Sequence, residues 1–200
     1  MVAEGLRTLL EPEFDLVGIV EDGRALIEAA NRLRPDVIVA DISMPHLNGI
    51  DALVQLKRDN PEVRFVLLTM HKDVAYARRA LDAGALGYVL KHSAPAELVM
   101  AVHAALEGRT YITPAVTGEL LQTFRENRDG VADQSAQLTP RQREILQLLA
   151  EGCSAKVIAA RLDISPRTVE FHKYQMMEVL KLQSNAELVH FAIKHGIVAI

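Results

Sequence analysis

Asp41, Thr69 and Lys91 are the residues whose types and spacing suit chemistry. Each follows a mainly apolar run, at 37–40, 65–68 and 86–90 respectively. Runs of that length suit strands buried on both faces of a parallel sheet. The C-terminal ends of such strands lie side by side on one edge, where open α/β sheets place their chemistry. A carboxylate, a hydroxyl and an ammonium converging there form a site that accepts and neutralises a phosphoryl group. Singly, none is distinctive. Asp41 also suits a cap for the loop before Asn48 and Gly49, and Lys91 a solvated loop position.

The intervening segments have the pattern needed to hold those ends in place. Residues 2–11 predict a helix with Val2, Leu6, Leu9 and Leu10 on one stripe. A strand is expected at 16–20, and a helix carrying Leu26, Ala29, Ala30 and Leu33 ends at Arg34-Pro35. The strand at 37–41 leads into a helix with Ile50, Leu53 and Val54. A strand at 63–69 precedes a helix with Val74, Ala77 and Leu81. A strand at 86–90 precedes one with Leu98, Ala101, Val102 and Ala105. This alternation predicts a parallel sheet with right-handed crossovers. One more helix is expected over 113–125. Residues 127–137, with a single valine as their only large apolar residue, read as a flexible linker.

The composition bounds the rest. The 200 residues are 50% hydrophobic and 24% charged with net charge -4, ordinary for a globular protein with a core. The only basic part runs from Leu138 onward, with eight Lys and Arg against six Asp and Glu. One cysteine, Cys153, excludes an internal disulfide. No histidine spacing suggests a structural metal. The N-terminus lacks a signal-peptide core, and no apolar run approaches the length of a bilayer span. A cytoplasmic protein with no membrane partner is expected.

From Leu138 the pattern becomes wholly helical. Thr139 as N-cap, Pro140 at the first helical position and Gln142 completing a capping box start a helix with Ile145, Leu148 and Leu149 inside. Ser154 caps a short second helix, and Ser165-Pro166 opens a third that runs to about Leu180. Ser184 or Asn185 begins a fourth, with Leu188, Val189, Ala192 and Ile193 buried. Two short helices joined by a tight turn form a helix-turn-helix pattern. On the third helix Val169, His172 or Lys173, Met176 and Leu180 fall inward, while Arg167, Glu170, Phe171 and Tyr174 face out. Exposed aromatics among charges suit a major groove, where they meet thymine methyls and base edges while Glu170 accepts from cytosine. Arg167, Thr168 and Lys173 suit phosphates. The plainer alternative is a helical bundle whose third helix packs against a partner.

Both halves resemble known families. Residues 1–112 resemble the receiver domain of two-component response regulators: an Asp-x-x-Met-Pro block at 41–45 with Gly49 after it, Thr69 in Leu-Leu-Thr-Met, and Gly-Tyr-Val-Leu-Lys at 87–91. Residues 138–198 resemble the LuxR/NarL-type DNA-binding domain in the blocks at 138–146, 158–172 and 184–189, departing at Lys181, where a glycine commonly closes the recognition helix. The resemblance implies an α/β plus all-α protein: a flavodoxin-like receiver at 1–112, a helix and linker at 113–137, and a four-helix LuxR-type helix-turn-helix domain at 138–200. It further implies that a sensor histidine kinase phosphorylates Asp41. Thr69 and Lys91 would then bind the phosphoryl group, and Tyr88 would be an aromatic switch turning inward. The partners implied are double-stranded DNA and a second copy in a homodimer, with the fourth helix as dimer surface and half-sites about 10 bp apart.

The receiver match also has a departure. The family's first strand ends in an acidic pair that holds Mg²⁺, and this sequence opens inside the helix that follows that strand. Only Asp41 and the Ser43 carbonyl are then left as metal ligands. In the strand order 2-1-3-4-5 the absent strand lies between residues 16–20 and 37–41. Its loss orphans backbone groups at roughly 1–3 kcal/mol each, against a total stability of about 5–15 kcal/mol. A start at an internal methionine is therefore expected, with the strand encoded upstream.

Two other functions fit parts of the pattern. One is a phosphorylation-independent DNA-binding protein whose receiver only dimerises. The other is a phosphoester hydrolase with Asp41 as nucleophile. No second carboxylate near Asp41 is placed as acid or base and no glycine-rich phosphate loop is present, so the chain is not expected to be an enzyme.

Overall fold

The computed structural model describes residues 2–70, 72, 74–93, 95–126 and 137–198. Four parallel strands, β1 (Ile38–Asp41), β2 (Phe65–Thr69), β3 (Gly87–Leu90) and β4 (Tyr111–Ile112), pair in the order β1-β2-β3-β4. Between and around them run α1 (Val2–Leu10), α2 (Gly23–Leu33), α3 (Gly49–Asp59), α4 (Val74–Asp82), α5 (Pro95–Leu106) and α6 (Pro114–Glu126). Side chains alternate along β2. Phe65 and Leu67 join a core with Leu26 of α2, Leu53 of α3, Ala77 of α4 and Leu120 of α6. Val66 and Leu68 join the opposite core with Leu10 of α1 and Leu98 of α5. Burial on both faces is why these strands lack a polar alternation.

The strand expected at 16–20 does not form. Residues 15–20 are irregular, and Val17, Ile19 and Val20 are exposed. A strand exists only through a hydrogen-bonded neighbour. β1 pairs with β2 alone, and no strand among the described residues lies between β1 and this segment. β4 was not expected. It is two residues long, and its pairing with β3 follows from the Gly87↔Tyr111 and Tyr88↔Ile112 register rather than from any local pattern. The linker expected over 127–137 falls, except for Gln137, outside the described residues.

The C-terminal unit has the four expected helices: α7 (Pro140–Ala150), α8 (Ala155–Leu162), α9 (Pro166–Leu180) and α10 (Asn185–Lys194). Thr139 and Gln142 make the reciprocal capping box, and Ser154, Ser165 and Ser184 cap the next three helices. Its core joins Ile145 and Leu148 of α7, Ile158 of α8, Val169 and Met176 of α9, and Leu188 and Ala192 of α10. Val189 and Ile193, expected inside, are only half-buried, and Phe191 takes a core place instead. Lys181 closes α9 in the left-handed region at φ 55°, with Leu182 N–H on the Met177 carbonyl at 2.8 Å. The turn a glycine commonly makes is thus kept, at a backbone cost of about 1–2 kcal/mol.

Candidate functional site

The C-terminal edge of the sheet brings Asp41 and Lys91 together. Asp41 ends β1 and Lys91 follows β3, and the Lys91 ammonium donates to Asp41 Oδ2. The other carboxylate oxygen accepts the Ser43 N–H at 3.1 Å. Between them β2 ends at Thr69, which is fully buried and whose carbonyl accepts the Lys91 N–H at 2.7 Å. Tyr88 points inward in this conformation, 0% exposed.

The loop after Asp41 turns back hard on its own strand. Gly49 N–H bonds the Ile42 carbonyl at 2.9 Å. A Cβ on Gly49 would lie 2.3 Å from the Asp41 carbonyl oxygen, which only a glycine avoids. Asn48 caps α3, its Oδ1 accepting the Asp51 N–H at 2.9 Å.

Receiver domains generally bind Mg²⁺ at this edge. The residues described here offer it the Asp41 carboxylate and the Ser43 carbonyl, and no group of three or more His, Cys, Asp or Glu stands together among them. Mg²⁺ requires near-octahedral oxygen ligation. One carboxylate, already paired with Lys91, and one carbonyl fall short of that ligation, so this set does not fit the ion, and no step is routed through it.

The second site is the outer face of α9. Phe171 and Tyr174 are 57% and 64% exposed, and Arg167 is exposed beside them. Glu170 and Lys173 form an ion pair, and the Lys173 ammonium stands 5.3 Å from the Tyr174 ring centroid. The Thr168 hydroxyl meets Ser165 Oγ at 2.8 Å and so takes part in the helix cap. The α8–α9 corner is made by Asp163 at φ 52°.

A third cluster lies between the two units. Gln147 of α7 accepts the Asn48 N–H at 2.8 Å and donates to the Met44 carbonyl at 3.0 Å. Glu151 accepts the His46 N–H at 3.2 Å, and Asn48 Nδ2 donates to the Ile197 carbonyl at 3.2 Å. Buried Asp51 faces Arg143 at 3.4 Å, while Arg24 of α2 pairs with Glu144. Arg79 of α4 donates to the His195 carbonyl. The sequence marks 143, 144, 147 and 151 only as the polar side of an amphipathic helix, which ordinarily faces water. Nothing local distinguishes such a face from one that docks.

Two families match the chain. The response regulator receiver domain matches residues 1–103, and the bacterial regulatory proteins of the luxR family match residues 136–192. The nitrate/nitrite response regulator protein NarL of Escherichia coli K12 is 36% identical over 94% of this chain and 88% of its own length. The transcriptional regulatory protein DegU of Brevibacillus brevis is 33% identical over 96% and 89%. Among solved structures, the two-component response regulator RcsB in complex with DNA superposes with TM-score 0.57 at 30% identity, over 95% of this chain and 91% of that one. RcsB from Salmonella enterica serovar Typhimurium, bound to a promoter in the presence of a phosphomimetic, gives TM-score 0.60 at 30% identity over 96% and 93%. No helix among the described residues is long and apolar enough to cross a membrane.

Proposed function

The chain belongs to the LuxR-type two-component response regulators, and on that premise we propose that phosphorylation of Asp41 by a sensor histidine kinase controls its docking, dimerisation and binding to duplex DNA. Members of this family are DNA-binding transcription regulators, not enzymes. The observation that carries the reading is the pairing of Asp41 with Lys91 at the sheet edge that also ends in Thr69.

In the proposed step a carboxylate oxygen of Asp41 attacks the phosphorus of the kinase's phosphohistidine. A P–O bond forms as the P–N bond breaks, and its electron pair returns to the imidazole. Lys91, released from the carboxylate, turns to the phosphoryl oxygens, and the Thr69 hydroxyl donates to one of them. The new group carries a charge of about −1.5 to −2 and three strong acceptors. It displaces the Ser43 amide from the carboxylate and so shifts the 43–48 loop that the C-terminal unit holds. Tyr88, the aromatic switch in this reading, already takes the inward position before phosphorylation.

On the DNA, Phe171, Tyr174 and Glu170 face base edges in the major groove, while Arg167, Thr168 and Lys173 contact phosphates. α10 supplies the dimer surface, and the protein works in the cytoplasm, where the chromosome is. The sparse set of oxygens for Mg²⁺, the Asp41 carboxylate and the Ser43 carbonyl, with no cluster of three acidic or histidine groups among the described residues, favours a second reading in which DNA binding is independent of phosphorylation. Acetyl phosphate in magnesium buffer with a phosphate-affinity gel separates the two. A shifted band that Asp41→Asn abolishes supports the first, and no shift supports the second.

A further inference from the structure

The loop after Asp41 is not satisfied by its own unit. Its internal bonds run from Met44 N–H to the Ile42 carbonyl at 3.1 Å, from Leu47 N–H to the Pro45 carbonyl at 2.7 Å, and from Gly49 N–H to Ile42. Three backbone groups in the same stretch instead find partners on α7 and the residue after it. They are the Met44 carbonyl and the Asn48 N–H, both on Gln147, and the His46 N–H on Glu151. Gln147 is 2% exposed, and its Nε2 also donates to Glu151 at 2.8 Å, so donor and acceptor ends of one side chain are both committed. Buried polar groups of this kind cost little while paired and about 1–3 kcal/mol each when left without a partner.

We propose that Gln147 of the DNA-binding unit is a positioning residue for Asp41: it pins the acceptor loop and so slows phosphoryl transfer. This rests on the reading of Asp41 as phosphoacceptor. The pinned Met44 carbonyl is one residue beyond Ser43, whose N–H holds Asp41 Oδ1. A phosphoryl group requires that bond to give way, and the Gln147 clamp resists the movement. Glu151 on the His46 N–H and the Ile197 carbonyl on Asn48 Nδ2 hold the same loop, while further crossing contacts lie to its side. Arg24 with Glu144 joins α2 to α7, and Arg79 with the His195 carbonyl joins α4 to the end of α10. They strengthen docking without touching the segment that moves. At equilibrium the coupling is reciprocal: a loop arrangement that favours phosphate on Asp41 weakens the clamp by the same factor, a relation that does not extend to the labelling rate.

The face involved is polar, as interfaces between domains that separate usually are. Water replaces each of its bonds when the units part, so the clamp is reversible. The recognition face of α9 lies elsewhere, with Phe171 and Tyr174 open, so loss of Gln147 leaves the DNA-contacting side chains untouched.

The test uses the full chain. Gln147→Leu keeps a side chain of similar length and removes all three hydrogen bonds to the loop, from the Asn48 N–H and Nδ2 and to the Met44 carbonyl. Arg24→Gln loosens docking and leaves Gln147 in place. Both are compared with wild type and Asp41→Asn for the rate of acetyl phosphate labelling, followed by intact mass at low and saturating donor. Hydrogen exchange at the His46 and Asn48 amides and the melting temperature are measured alongside. The expected result is labelling at least about fivefold faster in Gln147→Leu at saturating donor, as roughly 1 kcal/mol off the barrier gives. Faster exchange at those two amides accompanies it, with a smaller change for Arg24→Gln. Equal labelling rates in wild type and Gln147→Leu overturn the proposal, as does unchanged amide exchange. A wild type that takes up no phosphate, like Asp41→Asn, overturns the Asp41 reading itself and the proposal with it, a result distinct from equal non-zero rates.

Discussion

Tyr76 of α4 packs directly over Gly196, after α10, across the two units. A Cβ on Gly196 would fall 2.2 Å from the tyrosine ring. The glycine also sits at φ +62°, which an alanine adopts at about 1–2 kcal/mol. Gly196→Ala is therefore expected to separate the units rather than to unfold either core. Small-angle scattering checks this: a larger radius of gyration with a retained helical signal is expected, and unchanged dimensions would refute it.

The Lys91–Asp41 pair gives a second expectation. Lys91→Met leaves Asp41 able to accept phosphate and removes the cation that turns to the product. Labelling by acetyl phosphate is expected to persist, while the change in DNA affinity on labelling is lost. Gel shift and anisotropy together measure it, and a wild-type response in Lys91→Met would count against the role given to the lysine.

Glu170 holds Lys173 along the face of α9. Glu170→Gln is expected to release the ammonium to phosphate, steepening the dependence of log K on log salt by roughly 1. Lys173→Ala is expected to flatten it by a similar amount and to weaken binding to all sequences alike. A salt titration of DNA affinity decides both, and identical slopes in the three proteins would rule out a phosphate contact.

Phe171 and Tyr174 contribute little to the fold, since most of each side chain is exposed. Alanine at either position is expected to alter unfolding free energy by no more than about 0.5 kcal/mol. The same changes should cost about 1–3 kcal/mol in specific DNA binding. A melting temperature that drops while DNA affinity stays constant would place these rings in a packing role.

Tyr111 offers a pH test. Burial, then its hydrogen bond to Glu97 at 3.1 Å and the carboxylate's charge, raise the phenol above its ordinary value of 10.0. The neutral phenol is thus favoured in the folded protein. Its contribution to stability is complete below pH 10 and disappears as pH rises through the folded value. Tyr111→Phe should show a shallower alkaline loss of stability in denaturant titrations; equal slopes above pH 10 would dismiss the linkage.

Much of this architecture is legible in the chain, and the exceptions share a cause. The runs before Asp41, Thr69 and Lys91 are strands because burial on both faces leaves a continuous apolar signature. The caps at Thr139, Ser154 and Ser165 are local chemistry and survive folding unchanged. Residues 16–20 have the same kind of signature but no strand beside them, and pairing is a property of neighbours rather than of sequence. Gln147 and Glu151 are the reverse case: their polar face is spoken for by a loop about a hundred residues away. Even on α9, the outward positions of Phe171 and Tyr174 follow from helical period, whereas the pairing of Glu170 with Lys173 depends on rotamers that the period leaves open.

Whether Asp41 controls DNA binding is decided by one titration. Duplex DNA affinity of the full chain is measured by fluorescence anisotropy at fixed salt before and after acetyl phosphate treatment, with Asp41→Asn in parallel. Wild type is expected to bind at least about fivefold tighter after treatment, and Asp41→Asn is expected not to change. Equal affinities in treated and untreated wild type, with phosphate present on Asp41 by mass, would contradict that control.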